Sequence, residues 1–207
     1  MADHQPQRGL ARQPSKRGFG YWLGRTWMNI FGWKVENRLP PGAKFVLIGA
    51  PHTSNWDFIF MVAAANVMGV KVSWMGKHTL FKPPFGALFR RLGGIPINRQ
   101  AAHGVVSQMA ERFEQSDELL LAVAPSGTRK RVDHWKSGFY RIALQAGVPL
   151  ACGYLDYAGR RAGIGLVFTP SGDVKTDMDR IRNFYKDMHG RHPRLESTVR
   201  LRDEIPV

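Results

Sequence analysis

Cysteine is almost absent from this chain. The single thiol, Cys152, excludes an internal disulfide and reads as a small buried residue in a strand. The histidines are scattered, and neither His-x-x-x-His nor Cys-x-x-Cys spacing occurs, so no metal site is expected. No apolar run is long enough to span a membrane. The first residues lack the apolar core of a secretory signal. Acidic residues are also scarce. Sixteen Asp and Glu stand against 30 Lys and Arg, a net charge of +14, which implies an anionic partner. Nucleic acid, a membrane surface and a phosphate-bearing substrate all qualify. Zinc-finger, basic-zipper and RNA-recognition strand motifs are missing, so no nucleic acid is expected. From Phe58 to Ala110 there is no acidic residue, while Lys71, Lys77, Lys82, Arg90, Arg91 and Arg99 lie there.

What is present suits one globular domain. The length of 207 residues and a hydrophobic content of 43% allow a sizeable core. Residues 1–18 are polar and basic, the composition of a disordered tail. Residues 19–40 carry Trp22, Trp27 and Trp33 among other apolar residues, mostly on one side of a helical wheel, with Arg25 and Asn29 opposite. A Trp-rich amphipathic helix with basic flanks suits an anchor at an anionic membrane surface. The alternative is a helix packed on the domain's own core, and Gly20, Gly24 and Gly32 weaken either helix. Pro40-Pro41-Gly42 breaks the chain before a domain expected over 41–190.

Within that domain apolar strands alternate with helices. Strands are expected over 45–49, 70–75, 95–97, 119–124, 148–155 and 163–168. Helices are expected over 58–68, 79–92 (kinked at Pro83-Pro84), 101–114, 137–146 and 178–188. The pattern predicts an α/β layered, mixed and partly parallel sheet flanked by helices, with the amphipathic helix at its N-terminal side. Residues 191–207 read as a loosely held polar tail.

Three loops follow apolar strands and hold the polar residues best suited to chemistry. The first is Pro51-His52-Thr53-Ser54-Asn55-Trp56-Asp57. Ser54 reads as an N-cap with Asp57 three residues on, the spacing of a capping box. The loop can fold His52 back onto Asp57, which would fix the imidazole tautomer and leave the other ring nitrogen as a base. The bland alternative is a capping Asp beside a loop histidine. The second loop is Gly93-Gly94-Ile95-Pro96-Ile97-Asn98-Arg99, whose Arg99 ends a strand. The third is Ala124-Pro125-Ser126-Gly127-Thr128-Arg129, which offers backbone amides, a hydroxyl and a guanidinium to a phosphate or oxyanion. Its spacing is not that of a nucleotide P-loop.

Taken in order with Gly147-Val148-Pro149-Leu150, these blocks resemble those of the glycerolipid acyltransferases, typified by 1-acyl-glycerol-3-phosphate acyltransferases. The resemblance runs from Phe45 to Tyr157. It implies an α/β enzyme at the cytoplasmic face of a membrane, peripherally bound. The implied reaction moves an acyl group from a thioester donor (acyl-CoA or acyl carrier protein) to a hydroxyl of a lysophospholipid acceptor, with no further cofactor. His52 would be the base and Asp57 its orienting partner. Arg99 and Arg129 would bind the acceptor phosphate, with Gly127 and Thr128 shaping the pocket. Ser126 stands where the family usually has Glu, and Ala151-Cys152 follows Leu150 where a second proline is usual. A shorter, neutral Ser126 makes the pocket more positive and slightly larger. This leaves a different acceptor (an amine or polyol lipid) or an inactive lipid-binding relative as alternatives.

Overall fold

The computed structural model describes residues 18–36, 39, 42–97 and 104–204. Arg99 and the basic stretch 1–17 lie outside the described residues. Seven strands form one sheet: β1 (Lys34–Glu36), β2 (Lys44–Ala50), β3 (Val72–Lys77), β4 (Gly94–Ile97), β5 (Leu119–Val123), β6 (Leu150–Asp156) and β7 (Arg161–Phe168). Their order is β1-β7-β6-β2-β5-β3-β4. The β6–β7 pair is antiparallel and every other pair is parallel. The helices are α1 (Phe19–Ile30), α2 (Trp56–Met68), α3 (Gly86–Arg91), α4 (Val105–Gln115), α5 (Gly138–Ala146) and α6 (Val174–Tyr185). This is the expected α/β architecture, a mostly parallel sheet covered by helices on both faces.

The central strands are apolar on both sides because both sides are covered. Val46, Ile48 and Ala50 of β2 join Leu121, Leu150 and Cys152 in a core closed by α4, α5 and α6. Phe45 and Leu47 point the other way, with Leu120, Ala151 and Ile164. That second face is roofed by α2, which is apolar nearly all round, since it lies between the sheet and α1. Burying a large side chain such as Phe139 or Leu121 stabilises by roughly 1.5–3 kcal/mol.

The glycines that weaken α1 as an isolated helix let it dock. A Cβ on Gly24 would come within 2.6 Å of the Ala63 carbonyl oxygen, so α1 lies closer to α2 than alanine would allow. The helix stops at Ile30, short of the segment 19–40 expected for it. Lys34–Glu36 instead adds a strand beside β7. The helix expected over 79–92 is two pieces, a 3₁₀ turn at His78–Phe81 and α3, with Pro83 and Pro84 between them. The last helix begins at Val174, four residues earlier than expected, because Asp173 caps it by accepting the Thr176 N–H at 3.1 Å.

The largest difference is the C-terminal segment. Residues 191–204 are not a loose tail. They return across the domain, with Leu201 buried in the core, the Trp135 N–H donating to the Arg200 carbonyl at 2.7 Å, and Arg182 donating to the Val199 carbonyl at 2.6 Å. A polar composition hid this because Leu201 and Val199 are its apolar anchors and hydrogen bonds to distant residues, Arg182 with Glu204 and Val132 with Ser197 among them, do the rest.

Candidate active site

The parallel strands β2, β3, β4, β5 and β6 end at one edge of the sheet, where α/β folds form clefts. At the end of β2 the chain crosses to α2 through Pro51–Asn55. Asp57, in the first turn of α2, organises this crossing. Its Oδ2 accepts His52 Nδ1 at 3.0 Å, the Thr53 N–H at 2.9 Å and the Ser54 N–H at 3.0 Å. Its Oδ1 accepts the Tyr157 hydroxyl at 2.8 Å. Burial alone would raise the Asp57 pKa. The bonds from His52, the Ser54 amide, Tyr157 and the Thr53 amide more than offset it and hold the carboxyl below its ordinary range. An ionised carboxylate only accepts, so His52 donates from Nδ1, and in the neutral ring Nε2 is the nitrogen that carries the lone pair.

The helix start differs by one residue from the sequence expectation. Asn55, not Ser54, flanks α2, and its side chain makes no cap. The bonds of the box survive in part: Ser54 Oγ accepts the Trp56 N–H at 3.2 Å, and Asp57 takes the Ser54 amide.

The loop after β5 stands beside this one. Gly127 has φ +65°, and a Cβ there would lie 3.0 Å from Lys136 Nζ, so the turn needs a glycine. Ser126 is buried, and its hydroxyl donates to the Thr128 carbonyl at 2.7 Å. Thr128 Oγ1 accepts the Lys130 N–H at 3.3 Å. Arg129 Nη1 donates to Asn55 Oδ1, which clasps the two loops together. The structure thus unites His52, Asp57, Ser126, Gly127, Thr128 and Arg129. Arg99 lies outside the described residues; strand β4 ends at Ile97 on the same edge.

Three cavities open from this point, and among the described residues His52 is the one shared by their walls. The first, about 720 Å³, runs toward α4 and α5 and is lined by Thr128, Arg129 and Lys136. The second, about 340 Å³, lies between Pro125, Ser126 and Trp135 on one side and α6 with residues 196–200 on the other. The third, about 240 Å³, is an apolar slot between the sheet and α2, lined by Leu47, Phe58, Met61, Ala65 and Met68 among others.

Two parts of this site escape sequence reasoning. Tyr157 braces Asp57 across 100 residues of chain. Thr53 Oγ1 accepts the His192 N–H at 3.1 Å, which ties the His52 loop to the C-terminal segment. Neither Tyr157 nor His192 belongs to a spaced motif, so no sequence signal pointed to these contacts. No group of His, Cys, Asp and Glu suited to a metal occurs among the described residues.

Residues 33–154 match the family described as Acyltransferase. The 1-acyl-sn-glycerol-3-phosphate acyltransferases of Salmonella typhimurium and Salmonella typhi are each 33% identical over 142 residues, covering 64% of this chain and 56% of theirs. The chain therefore spans little more than half the length of these curated relatives. The crystal structure of the 1-acyl-sn-glycerophosphate acyltransferase from Thermotoga maritima shares the fold, with a TM-score of 0.54, 16% identity, and coverage of 86% of this chain and 81% of that one.

Proposed function

The chain belongs to the acyltransferase family, and from that premise we propose that it moves a fatty acyl group from a thioester donor to a hydroxyl of a phosphate-bearing lysolipid such as 1-acyl-glycerol-3-phosphate. The observation that carries this is the placing of His52. Its Nδ1 is held by an ionised Asp57, and its ring stands where a cavity that carries Thr128, Arg129 and Lys136 meets an apolar slot.

A thioester is already activated, so no covalent enzyme intermediate is needed. His52 Nε2 takes the proton of the acceptor hydroxyl as that oxygen bonds to the thioester carbon. The C–S bond then breaks and the proton passes to the departing sulfur. General-base help of this kind contributes about 10²–10⁴-fold. Thr128, Arg129 and Lys136 give the acceptor phosphate its partners in the first cavity, joined by Arg99 as the resemblance implies. The slot under α2 takes the fatty chain. The reaction uses no cofactor beyond the donor itself.

The site works on the cytoplasmic face of a membrane, peripherally. Support comes from α1, which exposes Phe19, Trp22, Leu23 and Ile30 in a chain of strong positive charge. No helix among the described residues is long and apolar enough to cross a membrane.

The test is a panel of lysolipids offered with labelled acyl-CoA and, separately, labelled acyl carrier protein, read by mass spectrometry. The expected result is transfer to phosphate-bearing lysolipids ahead of neutral ones. Transfer to amine or polyol lipids alone would replace the acceptor. Transfer to none of them would overturn the enzyme reading.

A further inference from the structure

Of the three cavities that meet at His52, the second has no occupant in the scheme above. Its wall carries three hydroxyl-bearing side chains, with Ser126 buried, Ser197 half-buried and Thr198 exposed. Its cations are Arg182, Lys186 and Arg200, and its acid is Glu196. Glu196 is already engaged, accepting the Gly190 N–H at 2.8 Å and facing His189 at 3.5 Å. Arg182 is tied to Asp179 and Glu204. Lys186 is exposed at the end of α6, and no acidic group pairs with it among the described residues.

The reacting carbon must carry three groups in the tetrahedral intermediate besides its oxyanion: the fatty chain, the acceptor oxygen and the donor sulfur. Three cavities of different chemistry converge on the residue that handles the proton. The apolar slot suits the chain, and the cavity of Thr128, Arg129 and Lys136 suits the acceptor phosphate. A second anion placed beside that phosphate would compete with it for the same cations. The remaining cavity offers hydroxyls in its wall and an exposed cation, Lys186.

We propose that this second cavity seats the phosphopantetheine arm of the acyl donor. Its amides would lie against Ser126, Ser197 and Thr198, and its phosphate would lie near Lys186 at the mouth. This rests on the transfer reaction proposed above. The thioester carbonyl arrives at His52 from the α6 side. After the acceptor oxygen bonds to carbon and the C–S bond breaks, the sulfur takes the proton from Nε2 and leaves as a free thiol by the same route. The segment 196–200 therefore helps build the donor site. The arm is common to coenzyme A and acyl carrier protein, so either carrier satisfies the chemistry.

The test uses the full chain and two variants, Lys186→Glu and Thr198→Trp, with melting curves to confirm that each folds. KM is measured for acyl-CoA, for acyl carrier protein and for the lysolipid, and free coenzyme A is titrated by calorimetry. The expected result is a donor KM and a coenzyme A Kd raised about tenfold in each variant, as for one lost charge-assisted contact or a blocked channel. The lysolipid KM should stay within about twofold. The carrier whose KM moves is the one that uses the cavity. An unchanged donor KM for both carriers overturns the proposal and leaves the transfer reaction standing. A raised lysolipid KM alone overturns it too, and gives the cavity to the acceptor. If wild type transfers to no acceptor but binds coenzyme A, and both variants lose that binding, the arm site stands and the reaction does not. If Thr198→Trp fails to fold, Lys186→Glu decides alone, since an exposed helix-end lysine is not needed for folding.

Discussion

The two faces of the sheet are built from the same strands and dressed differently. One face carries α4, α5 and α6, the other α2 and α1. The outermost helices make the contrast plain, since α1 and α6 are each 12 residues long and amphipathic. Helix α6 buries Met178, Ile181 and Tyr185 and shows solvent paired charges, Lys175 with Asp179 at 3.0 Å and Arg182 with Asp179 at 2.7 Å. Helix α1 buries Gly24 and Met28 and leaves Phe19 82%, Trp22 57%, Leu23 60% and Ile30 72% exposed. Amphipathicity alone therefore does not say which side turns inward. On α6 the large apolar residues go in. On α1 the glycine side goes in, because only there can its backbone approach α2. The face left outside is apolar on one side of the molecule and charged on the other, and the proposed substrates divide in the same way.

The two faces meet at His52, so its removal gives the largest expected effect. His52→Ala should lower kcat by about 10²–10⁴ on every acceptor while the melting temperature stays near wild type, because the half-exposed ring adds little to the core. Asp57→Asn should also cut kcat strongly, since an amide can hold the wrong imidazole tautomer. Near wild-type turnover in His52→Ala would sink the general-base mechanism. The next effect belongs to the basic side alone. Arg129→Ala should raise the KM of a phosphate-bearing lysolipid by roughly 10–100-fold, the value of one charge-assisted contact, and spare phosphate-free acceptors. Equal weakening for both acceptor types would show that Arg129 acts only by clasping Asn55.

How far the sequence carried this picture depends on the distance over which each feature is determined. The strand Phe45–Gly49, the loop with His52 and the start of α2 are local, and the capping-box spacing already implied that Asp57 turns back on its own loop. The parallel sheet was legible from the alternation of strands and helices. Strand β1 was not, since three residues, Lys34–Glu36, carry too little pattern to reveal a strand. The return of residues 196–201 against Trp135 was hidden for a different reason. It is held by backbone bonds and by side-chain bonds to residues far away in sequence, such as Arg200 to the Asp133 carbonyl, so composition gave no sign of it. The same applies to Tyr157, whose hydroxyl finds Asp57 only after β6 is laid beside β2.

The exposed side of α1 gives a smaller effect, and it sharpens the contrast with α6. Trp22→Ser with Leu23→Ser should weaken sedimentation with anionic vesicles by about tenfold, a fraction of what full burial of two such side chains is worth. Activity on detergent-dispersed lipid should hold. The counterpart on the other face, Met178→Ala, should cost about 2–5 kcal/mol of stability and leave vesicle binding of the folded protein unchanged. Vesicle binding that survives the α1 double variant would move the membrane surface elsewhere on the molecule.

The smallest effect is expected at Tyr157, the side chain that runs from the apolar face to the His52–Asp57 pair. Its ring packs on Trp33 and Phe60, with centroids at 4.9 and 5.8 Å, and its hydroxyl donates to Asp57 Oδ1. Tyr157→Phe keeps the ring contacts and removes one of four donors to the carboxylate. His52 still bonds Oδ2, so kcat should fall only a few-fold, in keeping with a net loss of about 1 kcal/mol for one hydrogen bond. The sharper measurement is the pH dependence of stability. Asp57 is held below its ordinary range in the folded protein, so its contribution is fully present above the unfolded carboxyl value of about 3.9 and fades as pH falls through the depressed folded value. Losing the tyrosine donor raises the folded value and shrinks that contribution. The melting-temperature gap between wild type and Tyr157→Phe should therefore be full near neutrality and close in acid, once Asp57 is protonated in both. A gap that stays constant down to low pH would mean that the hydroxyl supports packing and not the charge on Asp57. A gap that widens in acid would contradict the depressed carboxyl itself, and with it the bonds that hold His52 in place.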